Sequence, residues 1–150
     1  MAGETDLRVL LASMKPRLRG AHYLFIHLAP GKRLPENLVA LATFEEDEGT
    51  TAIVEEGRAQ RAELEGIGPF AMITLEVQSD LQAVGFVAAV ARSLADAGIP
   101  ANAVAAYNHD HLFVPAERAD AAVRVLERMS ATVAAQRAQQ TDPSPDSESP

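Results

Sequence analysis

Two short segments hold most of the side chains that could do chemistry. The first, Ser79-Asp80-Leu81-Gln82-Ala83-Val84-Gly85, stands just ahead of an amphipathic stretch. A helix starting there offers free N–H groups and the positive end of its dipole to an anion such as a carboxylate. Asp80 beside it could pair with an ammonium. The second segment, His109-Asp110-His111, carries two imidazoles two residues apart. On a strand both face one side and Asp110 the other. As metal ligands, or as a base and its orienter, they would need a third convergent group, and spacing identifies none. The chain has no cysteine, so a metal would depend on histidine and carboxylate alone. The favoured reading is a hairpin tip with no metal and no catalytic residue. His22 and His27, flanking Tyr23–Ile26, read as ordinary sheet-face residues. No nucleophile motif, phosphate loop or dinucleotide fingerprint is present, so neither an enzyme nor a cofactor is expected.

The bulk properties narrow the partners. The formal charge is −8, and the 13 Lys and Arg residues are scattered along the 150-residue chain. Phosphate neutralisation takes a clustered basic surface, so nucleic acid is not the expected partner. Lys15, Arg17 and Arg19 around Pro16 read as a solvated exit from the first helix. No apolar run approaches the roughly 20 residues that span a bilayer. Met1–Asp6 lacks the positive charge of a signal peptide, so a cytoplasmic location is expected.

Hydrophobic spacing places the elements. Leu7, Leu10, Leu11, Met14 and Leu18 share one helical face, limited by Pro16. His22–Leu28 reads as a strand, 29–32 as a turn, and 35–47 as either a helical turn or a strand. Thr50–Val54 is a strand and Glu56–Leu64 a helix. Gly66-Ile67-Gly68-Pro69 has the composition of a linker. In Ala71–Val77, Ile73, Leu75 and Val77 alternate with Met72, Thr74 and Glu76. Leu81–Ala97 reads as a helix, begun by a Ser79/Gln82 capping box and ended by Gly98 and Pro100, with Val84, Val87, Ala91 and Leu94 inward. Asn102–Tyr107 and His111–Val114 are strands, and Pro115 opens a last helix. Residues 136–150 are rich in Pro, Ser, Asp and Gln, which predicts a disordered tail.

The halves repeat. Ile53, Val54, Arg58, Ala59 and Ala62 match Phe113, Val114, Arg118, Ala119 and Ala122 at a constant offset of 60. Asp6-Leu7 also resembles Asp80-Leu81. The repeat predicts an αββα unit over 1–68 and a βαββα unit over 69–135, with the 71–77 strand shared or swapped between them.

The stretch from Ile73 to Pro115 resembles an ACT domain, a βαββαβ module. The family pattern puts Asp at the end of the first strand, Gly five residues later, then Gly-Ile and Asn before the second strand. Asp80, Gly85, Gly98, Ile99 and Asn102 fit it. Tyr107–Pro115, with the opening Gly3-Glu4-Thr5-Asp6-Leu7 and Met14-Lys15-Pro16, is similar to the paired ACT proteins of the ACT_3 and ACT_7 types. These are related to the cytosolic arginine sensors of animals. The resemblance implies an α+β fold of two paired ferredoxin-like units, with antiparallel sheets and helices on one face.

It further implies a regulatory protein that binds an amino acid or similar metabolite between units, at Ser79, Asp80, Leu81, Val84, Gly85, Phe86 and Asn102. Asp80 can instead cap the helix, Gly85 can serve packing, and Asn102 can satisfy loop backbone. Leu11 stands where Gly85 stands in the repeat, so one competent loop per chain is expected. A free-standing module has no enzyme domain to regulate in cis, which implies self-association or a partner protein. The rival readings are a ligand-free assembly module using exposed sheet edges, and a metal-dependent enzyme built on His109 and His111.

Overall fold

A computed structural model describes residues 3–141. Helix α1 (Leu7–Ser13) leads into strands β1 (Lys15–Leu28), β2 (Ala42–Glu46) and β3 (Gly49–Glu55), then helix α2 (Glu56–Arg61). Strand β4 (Ile67–Glu76), helix α3 (Phe86–Asp96) and strands β5 (Asn102–Ala105) and β6 (Asp110–Pro115) follow. A 3-10 turn (Ala116–Arg118) and helix α4 (Ala119–Thr141) complete the described chain. The fold is α+β. One antiparallel sheet, in the order β2-β3-β1-β4-β6-β5, runs through both units, with β4 paired to β1 on one side and β6 on the other.

The sheet has two unlike faces. Ala71, Ile73 and Leu75 of β4 and Leu112 and Val114 of β6 meet α1, α3 and α4 in the larger core. Leu24 and Ile26 of β1 and Ala52 and Val54 of β3 continue that face toward α2 and Ala59. The alternate residues Phe70, Met72, Ile53 and Phe113 point to the helix-free side. The alternation read in 71–77 is therefore present, but it begins earlier. The expected linker at 66–69 belongs mostly to β4, where Ile67 and Phe70 pair with β1.

Several elements are bounded differently from the reading of the sequence. Helix α1 stops at Ser13 because Met14, two residues ahead of Pro16, is already extended at ψ 132. A residue directly before proline avoids the α region as well, so Lys15 begins β1 and Leu18 lies on a strand. Helix α3 starts at Phe86 and buries Phe86, Val90 and Leu94, spaced by four. Its end matches expectation. Gly98 has φ +70, and the Ile99 N–H donates to the Leu94 carbonyl at 2.9 Å. Pro115 precedes the 3-10 turn and not α4 itself. Helix α4 runs through residues 136–141, where a disordered tail was expected. Those residues are mostly Ala, Gln and Arg, good helix formers, and Arg8 Nη1 donates to Gln140 Oε1 at 2.7 Å. The rest of that tail, 142–150, lies outside the described residues.

The repeat survives in one part and fails in another. Strand β3 runs directly into α2 and β6 directly into the α4 segment, as the 60-residue offset predicts. Between β1 and β2, however, residues 29–41 form turns and loop where the second unit has α3. Leu34, Leu38 and Ala40 of that loop pack on the sheet in a helix's place. Helix α1 is therefore no counterpart of α3. It packs on α3 and α4, and Leu11 lies in that core without being equivalent to Gly85. The Ser130 hydroxyl of α4 fastens the junction, donating to the Ala12 and Met14 carbonyls at 3.1 Å each.

Leu10, fully buried though near the start of the chain, tests this arrangement. Leu10→Ala is expected to lower unfolding free energy by about 2–5 kcal/mol in urea titrations, as for a central core leucine. A loss under about 1 kcal/mol would place α1 outside the core.

Candidate functional site

The segment 77–85 leaves the sheet at the end of β4 and is held from two sides. Its backbone pairs with the chain's start: the Glu4 N–H donates to the Gln78 carbonyl at 2.9 Å, and the Asp80 N–H to the Glu4 carbonyl at 3.0 Å. The Asp80 carboxylate accepts the Gln82 N–H at 2.8 Å, and the Ala83 N–H donates to the Asp80 carbonyl. Asp80 therefore shapes a turn of the loop. The expected capping box does not form at a helix end, because the helix begins six residues after Asp80. Its start is Gly85, which takes φ +91 and lends α3 no capping side chain.

The first intrahelical bond of α3 runs from the Ala89 N–H to the Gly85 carbonyl. Phe86, Val87 and Ala88 are left with amide N–H groups that have no acceptor inside the helix. These three residues line a cavity of about 160 Å³ together with Ser79, Asp80 and Leu81. Gly85, Ala83 and Ala105 complete the wall with Asp110. Asp110 is only 7% exposed, and the Ser79 hydroxyl donates to its Oδ2 at 3.3 Å. A carboxylate and a positive helix end thus face one small space. The combination suits a molecule carrying both an ammonium and a carboxylate.

Five of the seven residues singled out from the sequence meet here: Ser79, Asp80, Leu81, Gly85 and Phe86. Val84 does not, being 83% exposed on the outside of the loop. Asn102 does not either. It starts β5 opposite Phe113, whereas the cavity lies at the other end of that strand, beside Ala105. Three residues of strand separate the two positions by about 10 Å. Asp110 was missed as a member. Its signal was the alternation along β6, which turns it away from His111 and toward α3.

The two histidines part company from it. His111 faces the helix-free side, with Nδ1 3.0 Å from the Thr74 hydroxyl. Burial, then the charges of His109 and Arg19, hold the His111 imidazole below its ordinary pKa, with Asp110 opposing. Among the described residues no three His, Cys, Asp or Glu side chains lie close enough together to hold a metal ion. Among them, too, no helix is long and apolar enough to cross a membrane.

Comparison with known proteins adds a lineage. Residues 2–71 match one family model described as an ACT domain, and residues 68–128 match a second with the same description. A solved structure of a protein of unknown function from Vibrio cholerae, described as a possible transport protein, is 42% identical. That match covers 83% of this chain and 95% of the other, with a TM-score of 0.74. A protein from Agrobacterium tumefaciens is 16% identical over 78% of this chain and 89% of its own, at TM-score 0.67. The regulatory subunit of aspartate kinase from Thermus flavus is 15% identical over 77% and 96%, at TM-score 0.58. Among curated proteins no sequence matches.

Gly85 is where this geometry is most exposed to test. Its φ of +91 disfavours any side chain, and an added Cβ would sit 3.3 Å from Leu7 Cδ2. The helix-interior position expected from sequence would have made alanine harmless or favourable. Gly85→Ala is instead expected to cost about 1–3 kcal/mol of stability in thermal or urea unfolding. Unchanged or raised stability would show that the loop does not need its left-handed residue.

Proposed function

Because the chain belongs to the ACT domain family and carries two such domains in tandem, we propose that it is a non-enzymatic regulatory protein that binds an amino acid at the start of α3. Residues 1–68 and 69–135 are its two units, and the second holds the site. The observation that carries the reading is the meeting of three uncapped amides, Phe86 to Ala88, with the nearly buried Asp110 around one small cavity. The amides and the helix dipole take the carboxylate of the ligand. Asp110 takes the ammonium, a role the sequence suggests for Asp80, whose carboxylate is committed to the loop's own turn. Val87, Ala88 and Ala105 leave room for a short side chain.

The regulatory part of the reading draws on the family and on the neighbour described as a regulatory subunit. A bound ligand would tie the loop to α3, and through Glu4 and Leu7 it would tie the loop to the beginning of the chain. Self-association or a partner protein reads that change. The edge strand β2 offers a surface for it, since Phe44 is exposed there with Val39 and Leu41 close by in sequence.

Titration calorimetry of the full chain against the twenty amino acids tests the site. At least one is expected to bind, and Asp110→Asn is expected to weaken it by tenfold or more, about 1.4 kcal/mol. The same ligand without its amino group should not be weakened by Asp110→Asn, since it has no ammonium for Asp110 to hold. Failure of all twenty, or equal affinity for wild type and Asp110→Asn, would contradict the reading.

A further inference from the structure

The helix-free side of the sheet holds a second cavity, of about 150 Å³. Leu41 and Ala42 line it from the β2 edge, and Val104 and Ala106 line it from the β5 edge. Those strands are the two outer members of a six-stranded sheet. In a flat sheet five spacings of about 4.8 Å would hold them some 24 Å apart. They line one small space only because the sheet curls, which makes this face concave. Its floor is Ile53, Met72 and Phe113, and Phe113 is 1% exposed although no helix covers it. Tyr23 and Phe25 stand edge-on to the Phe113 ring, at centroid distances of 5.9 and 5.4 Å, and hold it in place.

One end of this apolar space is polar. His111 lines it, and its Nδ1 meets the Thr74 hydroxyl at 3.0 Å. Arg19 Nε donates to the same hydroxyl oxygen, also at 3.0 Å. Arginine has no acceptor, so the Thr74 oxygen receives that proton and its own proton needs a partner. Thr74 is 1% exposed, and His111 Nδ1 is the acceptor within reach. The ring is then neutral and carries its one proton on Nε2, in keeping with its lowered pKa. Arg19 lies where β1 loses register against β4, between Leu18 and His22. Among the described residues it has no carboxylate partner.

We propose that this cavity is a second binding site, separate from the α3 pocket, for a small apolar carboxylate about the size of benzoate. An enclosed apolar cavity of about 150 Å³ is known to accept benzene. The hydrocarbon body rests on Phe113 and Met72. The carboxylate sits at the polar end, accepting the neutral His111 Nε2–H and attracted by the charge of the Arg19 guanidinium, which Thr74 holds beside that ring. The site neither uses nor requires any residue of the α3 pocket, so either can fail alone.

Methyl-labelled methionine in the full chain provides the readout. Met72 lines the cavity, while Met14 and Met129 lie in the helix-side core. Titration with benzoate is expected to shift the Met72 methyl resonance and leave Met14 and Met129 in place. Arg19→Met should weaken benzoate by at least about tenfold while leaving the uncharged probe benzyl alcohol unchanged. Ala106→Leu, at an exposed position on the rim, should weaken both by a similar factor. A Met72 signal unmoved by millimolar benzoate would overturn the proposal. So would an Arg19→Met protein that binds benzoate as tightly as wild type.

Discussion

The antiparallel pairing of β1 with β4 is the constraint on which the rest of the molecule depends. Each strand ends its own half of the sheet, β3 flanking one and β6 the other, so their union turns two three-stranded pieces into a single sheet. Without it, two inner strands would present open edges and unpaired backbone groups. It also dictates where the chain begins. Because β1 enters the sheet at Lys15 beside Glu76, the preceding helix is delivered to the second unit's side of the sheet. There Leu10, Leu11 and Met14 fill a core built from β4, β6, α3 and α4. The residues ahead of α1 then reach Gln78 and Asp80, so the loop that forms the α3 pocket is braced by the far end of the sequence.

The same sheet divides its polar residues between two environments. Asp110 and His111 are neighbours on β6, and the strand's two-residue period sends them to opposite faces. Asp110 meets Ser79 under the start of α3, while His111 meets Thr74 and Arg19 on the concave side. A buried carboxylate beside a helix N-terminus and a neutral imidazole beside a guanidinium call for different ligand atoms. In the proposed reading the first arrangement takes a zwitterion and the second an anion with an apolar body.

What could be read from the sequence followed local physics. The Leu, Ile and Val alternation in 71–77 and the Gly98-Ile99-Pro100 stop have local causes, and the structure carries both. So does the passage from strand into helix at Ile53–Ala62 and Phe113–Ala122, read from a repeat in the same residues. Four loop residues of the candidate cavity, Ser79, Asp80, Leu81 and Gly85, and Phe86 at the start of α3 were singled out through resemblance to a family pattern. The remainder depended on contacts distant in sequence. Gly85 looks helical until its positive φ is known, and an added Cβ there would come 3.3 Å from Leu7, from the other end of the chain. Asp110 enters the pocket because β6 pairs with β4 in one particular register. The first unit's missing helix was hidden because Leu34, Leu38 and Ala40 are too sparse for any periodic signal. Asp6-Leu7 and Asp80-Leu81 resemble each other for a local reason, an Asp that takes up the N–H two residues on, and not because their helices are equivalent.

The central claim is that the amides opening α3 are the ligand's anchor, and backbone amide NMR addresses those atoms directly. On titration with the amino acid that binds, the N–H resonances of Phe86, Val87 and Ala88 should move together and saturate at one dissociation constant. Amides of α2, which packs on the first unit's part of the sheet, should stay in place. Saturable binding that leaves those three amides unshifted would contradict the account.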